Sequence, residues 1–271
     1  MCKIGGLYMN KTTNLLLPKE LETFRSEIED TLLSAVIISP SKRSTSITES
    51  KFAGEPYLPY YQIYPKDITG EPMRLLAQIN FAEMPTLQDF PTQGILQFFI
   101  SSNIFANAAH YQEDIFQQFY KIRFYPTINT DIVAPSHETI VEASNDWFPI
   151  SQELALQFHP EQEPVSALDY RAAQYLPNLK LNQDDANLQE TYLQHFLGAG
   201  AKIGGYAYFL EEDIRYESKL LQRYDVLLLQ IDSNDEFGIM WADSGVGKFF
   251  INRERLLQED FSDILFQWEH Y

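Results

Sequence analysis

Two glutamines 152 positions apart, Gln78 and Gln230, are the residues whose type and placement first suggest a site. Each stands in the same hexad, Leu75-Leu76-Ala77-Gln78-Ile79-Asn80 and Leu227-Leu228-Leu229-Gln230-Ile231-Asp232. A primary amide both donates and accepts, so a symmetric pair could line a shared cleft, or each could satisfy backbone groups of its own sheet. Strand alternation places both glutamines opposite Leu75, Ala77 and Ile79, or Leu227, Leu229 and Ile231, with Asn80 and Asp232 on their own face. Further on, Trp241-Ala242-Asp243-Ser244-Gly245 offers an aromatic wall, a carboxylate and a tight turn in a loop, where binding residues gather. Gln78, Gln230, Asp232, Trp241 and Asp243 are therefore the candidate ligand-binding residues. No catalytic residue is singled out.

Other motifs fail on their own chemistry. Gly245-Val246-Gly247-Lys248-Phe249 approaches a phosphate-binding loop, but Phe249 replaces the hydroxyl residue that holds magnesium, and the following residues read as strand where a helix is needed. Asp232 to Asp243 imitates a calcium loop, yet Phe237 occupies the sixth position that needs glycine. A hairpin turn is the expectation there. His110, His137, His159, His195 and His270 show no metal-ligand spacing, and Cys2 has no partner for a disulfide or a multi-cysteine zinc site. Gly-x-Ser-x-Gly does not occur. No metal and no cofactor is expected.

The elements that must position these residues come from a chain of 271 residues with 45% hydrophobic and 14% aromatic content, enough for a substantial core. Spacings of three and four at Leu21, Phe24, Ile28 and Leu32 predict an amphipathic helix from Pro18 to Leu33. A second is predicted from Asp184 to Leu197, ended by Gly198 and Gly200. Strands are predicted at Ala35 to Ile38, Met73 to Phe81, Ile95 to Ser101, Phe119 to Tyr125, Leu154 to Phe158, Asp225 to Ile231, Gly238 to Trp241, Val246 to Asn252 and Asp263 to Glu269. Met1 to Tyr8 reads as a leader, with Met9 as an alternative start.

Three blocks recur at a nearly constant offset. Lys51-x-x-Gly54-x-x-Tyr57 matches Lys202-x-x-Gly205-x-x-Tyr208, the two hexads follow, and Gly94 to Ile100 matches Gly245 to Ile251, both ending in Phe-Phe-Ile. The expected class is α+β, internally duplicated, with mainly antiparallel sheets and few helices. The expected organisation is a leader over 1–9 and a single duplicated domain over 10–271, with repeat cores 51–100 and 202–251.

At these residues the chain resembles the YwqG-like family, a largely bacterial group without an established biochemical function. The resemblance rests on Lys51 to Pro59, Leu75 to Phe81, Pro91 to Ile100, Lys202 to Arg215, Tyr224 to Asp232 and Ile239 to Ile251. Ala53 departs from the pattern, standing where a glycine pair is usual, as do Ala207, Leu210, Glu211 and Ile214. The resemblance implies a duplicated α+β protein. Because some members are encoded near bacterial toxin systems, it adds immunity to a toxin as a functional candidate.

Charge narrows the partner classes. Residues 1–50 hold six basic and six acidic side chains, so the net charge of -18 lies beyond residue 50. Such a surface repels phosphate backbones, and the Lys/Arg clusters that drive counterion release are missing, which argues against nucleic acid. No apolar run is long enough for a membrane helix. With no signal-peptide pattern, a cytoplasmic setting is expected. The leading expectation is a non-catalytic binding module for a basic protein partner, with Glu211, Glu212 and Asp213 as part of the acidic surface. The rival is an enzyme or small-ligand receptor with a cleft between the repeat halves. The oligomeric state is not specified. Since no ligand set for a metal is present, EDTA should leave the melting temperature unchanged, and a large fall on chelation would contradict this reading.

Overall fold

A computed structural model describes residues 15–102, 104, 118–132, 148–179 and 186–271. Its frame is one ten-stranded sheet that curls into a half-barrel, with every strand pair antiparallel. The strands are β1 (Leu33–Ser41), β2 (Lys51–Phe52), β3 (Arg74–Asn80), β4 (Ile95–Ile100), β5 (Tyr120–Tyr125), β6 (Leu154–Glu163), β7 (Lys202–Gly204), β8 (Val226–Asp232), β9 (Val246–Ile251) and β10 (Ile264–Glu269). Among the described residues four α-helices accompany them: α1 (Arg25–Glu29), α2 (Ala172–Tyr175), α3 (Ala186–His195) and α4 (Arg253–Leu257). This is the sheet-rich, helix-poor architecture that the sequence predicts.

The order is β10-β9-β8-β7-β1-β6-β2-β3-β4-β5. Exchanging β1 with β6, β2 with β7, and so on to β5 with β10 gives the same order read from the opposite edge, with every pair of neighbours kept. The registers follow the same rule, because Lys51 faces Gln78 across β2 and β3 while Lys202 faces Gln230 across β7 and β8. The long β1 and β6 pair at the centre, with Ser39 opposite Gln157. Outside that pair the chain crosses over: β1 accepts β7, and β6 accepts β2. Each half of the sheet is thus completed by a strand from the other.

One face of the sheet holds the main core. Phe98 of β4 and Phe249 of β9 meet inside the curl with ring centroids 4.9 Å apart, and Phe249 stacks on Phe266 at 4.4 Å. The two strands that end in Phe-Phe-Ile therefore close on each other through their first phenylalanine. Their second, Phe99 and Phe250, points to the outer face, where Leu75 and Leu227 join them in smaller clusters. A bulge in β3 between Leu75 and Ala77, and another in β8 between Leu227 and Leu229, causes this. Strict alternation puts Leu75 and Leu227 opposite the glutamines; the extra residue in each bulge brings them to the same face.

The predicted helix from Pro18 to Leu33 is a 3-10 turn, Lys19–Phe24, running into α1, with Leu21 and Ile28 buried as its periodicity requires. The helix predicted at 184–197 is α3, and Gly198 and Gly200 after it take φ of +74° and +95°. These helices form a satellite cluster around Tyr192, Leu176 and Tyr206. The strand predicted at Gly238 to Trp241 is a turn instead. Gly238 sits at φ +67°, and Ile239 alone bridges to Ile150 and Asn234. The leader lies outside the described residues.

Gly247 is fixed by packing, since a Cβ built there would lie 2.2 Å from Cζ2 of Trp241. Gly247→Ala should therefore cost about 1–3 kcal/mol in a urea melt. Combining it with Trp241→Phe should recover part of that loss, and a neutral single variant would contradict the packing described.

Candidate functional site

Two rows of polar side chains cross the outer face of the sheet. In the first half the register aligns Lys51, Gln78, Gln97 and Arg123 on β2, β3, β4 and β5. In the second it aligns Lys202, Gln230, Lys248 and Gln267 on β7, β8, β9 and β10. All except Arg123 are buried, because the segments 53–72 and 205–224 lie over this face. Charged and amide groups removed from water need partners, and these come from the backbone of the covering segments, from the backbone of Ser46, Ile47, Glu49, Gly198 and Gly200, and from neighbouring side chains.

The two glutamines act as clamps. Oε1 of Gln78 accepts from the Tyr57 N–H at 2.8 Å and from Nε2 of Gln97 at 2.8 Å, while its Nε2 donates to the carbonyls of Ile47 and Glu49 at 2.9 Å. Gln230 repeats the pattern, accepting from Tyr208 N–H at 2.8 Å and donating to the Gly198 and Gly200 carbonyls at 2.9 and 2.8 Å. Their amides are spent on loops. Five strand steps separate β3 from β8 in the sheet order, about 24 Å along the sheet, so the two glutamines do not line one cleft.

Asp232, Trp241 and Asp243 gather around one hairpin but diverge. Asp232 accepts from the Gly200 N–H at 2.9 Å on the outer face, and burial raises its pKa against the opposing pull of that bond, Lys248 and Lys202. Trp241 is buried in the inner core, and Asp243 is exposed at the turn. Ser233 ties the hairpin, its hydroxyl donating to the Gly245 carbonyl at 2.7 Å and accepting from the Trp241 N–H at 3.0 Å.

Several buried ionic groups escape sequence reasoning. Lys202 donates to both carboxylate oxygens of Glu163 at 2.7 Å. Lys248 pairs with Glu269, donates to the Tyr208 carbonyl at 3.0 Å and stands 4.2 Å over the Phe209 ring. Burial holds its pKa well below the usual lysine value. Asp213 is no surface acid: it is buried with Arg215, whose Nε and Nη2 reach its carboxylate at 2.9 and 2.8 Å. Nη2 of Arg215 also reaches Asp169 at 3.3 Å, its Nη1 reaches the Tyr224 carbonyl at 3.0 Å, and its guanidinium lies 4.3 Å over Phe250. Burial pushes the Asp169 carboxyl up, but Arg171 and Arg215 outweigh it and the net shift is downward. The available signal was a lone charge inside an apolar run, as in Gly247-Lys248-Phe249-Phe250.

A cavity of about 660 Å³ opens where the two sheet edges approach, between β5 and the turn joining α4 to β10. Ile122, Phe124, Phe261 and Ile264 give it an apolar floor, and Lys121 and Asp260 are among its polar lining. The Tyr120 hydroxyl closes one side by donating to the Ile264 carbonyl at 2.6 Å. None of the five sequence-predicted residues lines it. Among the described residues no group of His, Cys, Asp and Glu is arranged to hold a metal ion, and no helix is long and apolar enough to cross a membrane. His110 and His137 lie outside the described residues.

If the glutamines are clamps, Gln78→Leu and Gln230→Leu should each leave buried backbone groups unsatisfied. About 1–3 kcal/mol should be lost for each stranded group, read from urea midpoints. Leucine variants as stable as the parent would show that the loops are held otherwise.

No curated protein matches the chain. A family model described as a domain of unknown function, DUF1963, matches residues 50–269, from β2 to the last residue of β10. The matched span takes in both buried polar rows and both clamped segments, and the chain belongs to this DUF1963 family.

Proposed function

We propose that the protein is a non-catalytic binding module for a basic protein partner, built by internal duplication. The observation that carries the binding reading is a loop that projects large side chains into solvent: Tyr60, Tyr61 and Ile63 are 69%, 60% and 80% exposed. The loop is held from beneath. The Gln62 N–H donates to the Pro59 carbonyl at 2.9 Å, and Nη2 of Arg123 donates to the Ile63 carbonyl at 2.5 Å. Tyr60 and Tyr61 meet edge to face at 5.7 Å, so their rings are already oriented for contact. Exposed, preordered tyrosines are the residues that anchor protein interfaces at low entropic cost. The net charge of -18 makes a basic surface the complementary one. A basic toxin is one such partner, the candidate that the YwqG-like resemblance adds. Duplication is supported by the reversible strand order, the matching registers and the matching bulges of β3 and β8.

The second reading, a small-ligand receptor, is favoured by the cavity between β5 and the α4–β10 turn, where elements of both halves meet. Its lining differs from the five residues that the sequence suggests.

Native co-purification followed by mass spectrometry identifies the partner, and two measurements on it separate the readings. Tyr60→Ala, Tyr61→Ala and Ile63→Ser together should raise the Kd at least tenfold while leaving the melting temperature within a few degrees. Association should slow steeply as salt rises past about 0.15 M, with dissociation changing less. An association rate flat in salt, or affinity untouched by the triple variant, would overturn the proposal.

A further inference from the structure

Antiparallel pairing identifies the free edge of the sheet residue by residue. The Ser101 N–H donates to the Phe119 carbonyl at 2.7 Å, and the Phe81 N–H donates to the Gly94 carbonyl at 3.0 Å. Carried along the registers of β3, β4 and β5, both bonds turn the backbone groups of Gln97 and Phe99 toward β5, where they meet Arg123 and Lys121. Ile122 and Phe124 alternate with those two residues, so their N–H and carbonyl groups point away from β4. On that side β5 is the last strand. Among the described residues nothing hydrogen-bonds to the outward backbone of Ile122 or Phe124.

The cavity of about 660 Å³ opens along this edge, with Ile122 and Phe124 in its floor and the Phe124 and Phe261 rings 4.9 Å apart. At one end the Tyr120 hydroxyl ties β5 to β10 through the Ile264 carbonyl, and beyond that bond the α4–β10 turn stands opposite β5. An apolar floor beside unmet backbone donors and acceptors is what an extended chain satisfies when it joins a sheet. From Tyr120 to Phe124 the edge is about 13 Å long, enough for a strand of four or five residues. The walls carry opposite charges. Lys121 on β5 and Glu259 on the turn make no ion pair among the described residues, whereas Asp260 is engaged by Arg255 and the Ser262 hydroxyl. Glu259 follows α4 at φ +55°, where its N–H bonds to the Leu256 carbonyl and the Asp260 N–H to the Arg255 carbonyl, a helix ending that glycine ordinarily fills. Glutamate there accepts backbone strain and keeps a carboxylate at the mouth of the cavity.

We propose that this cavity binds a short extended peptide segment by strand addition to β5. The peptide backbone pairs with Ile122 and Phe124, its alternate side chains are apolar and join Phe261 and Ile264 on the floor, and between them a basic side chain meets Glu259 and an acidic one meets Lys121. The assignment rests on the second functional reading, for which it names the ligand class, and it owes nothing to the tyrosine loop.

The test titrates the full chain with the synthetic peptide acetyl-Val-Lys-Val-Glu-Val-amide, followed by NMR and amide hydrogen exchange. Binding should be saturable, and at saturation the exchange of the Ile122 and Phe124 N–H groups should slow at least tenfold. Two analogues locate the paired edge, one N-methylated on its valines and the other on its lysine and glutamate. In an added strand only one of these sets faces β5, so one analogue should lose binding and the other keep it. Glu259→Gly relieves the left-handed strain, so the melting temperature should hold or rise while the Kd of the peptide increases at least threefold. A peptide with glutamine in place of lysine should bind as weakly and be indifferent to that substitution. Shifts at Phe261 and Ile264 without protection of Ile122 and Phe124, or the same response to both N-methylated analogues, would overturn strand addition and leave a small-ligand receptor standing. No saturable shift would remove both. Dimerisation of the free chain that protects Ile122 and Phe124 would give the edge to a second copy and equally overturn the proposal.

Discussion

Covering the outside of a sheet with irregular chain creates a constraint that governs the rest of this structure. A helix laid on a sheet satisfies its own backbone, whereas a loop brings amide and carbonyl groups that must find partners away from water. Here the partners are side chains of the sheet itself. Gln78 and Gln230 each bind backbone groups from two separate stretches of loop, and Lys51 donates to the Ser46 and Glu55 carbonyls at 2.8 and 3.1 Å. The polar rows are therefore a layer of hydrogen-bonding glue between sheet and covering loops, set among small apolar clusters, while the main apolar core lies on the inner face. This division explains how buried lysines and glutamines coexist with strands that read as hydrophobic.

The same layer is where the two halves differ in chemistry. The second half invests in ions: Glu163 with Lys202, Glu269 with Lys248, and Asp169 and Asp213 with Arg215. Removing one member of such a pair strands a buried charge, so the arrangement is intolerant of single changes. The first half sets Lys51, Gln78, Gln97 and Arg123 in the corresponding row, where among the described residues no acid pairs with Arg123, and it carries the loop with exposed tyrosines.

Much of this was legible in the sequence, for reasons that can be named. Strands such as Leu75 to Asn80 and Val246 to Ile251 are apolar runs bounded by Gly, Pro or Asp, and their repetition was visible because the Gln and Phe-Phe-Ile residues recur in order. The bulges were not legible, since an extra residue such as Leu76 or Leu228 has no chemical signature distinguishing it from its neighbours. Nor were β2 and β7, whose two or three residues are too few to alternate. Burial of Lys51, Lys202 and Lys248 defeats a reading that places charges outside. The glutamines were recognised as special, but their role depended on loops whose path the sequence does not specify. The conformation of Ala53 was foreshadowed: it takes φ +53°, the left-handed region that its counterpart Gly204 occupies at +73°, so the departure from the glycine pattern leaves the backbone turn in place.

The interleaved centre of the sheet has a consequence for how the protein is made. Leu33–Ser41 is synthesised more than a hundred residues ahead of its two neighbours, Leu154–Glu163 and Lys202–Gly204. Until more than a hundred further residues have been translated, Ala35-Val36-Ile37-Ile38 has neither edge occupied and is an apolar template for pairing with any other nascent chain. The sheet around this segment therefore cannot be completed until the second half emerges. Folding half by half, the route that an apparent repeat invites, is closed to it.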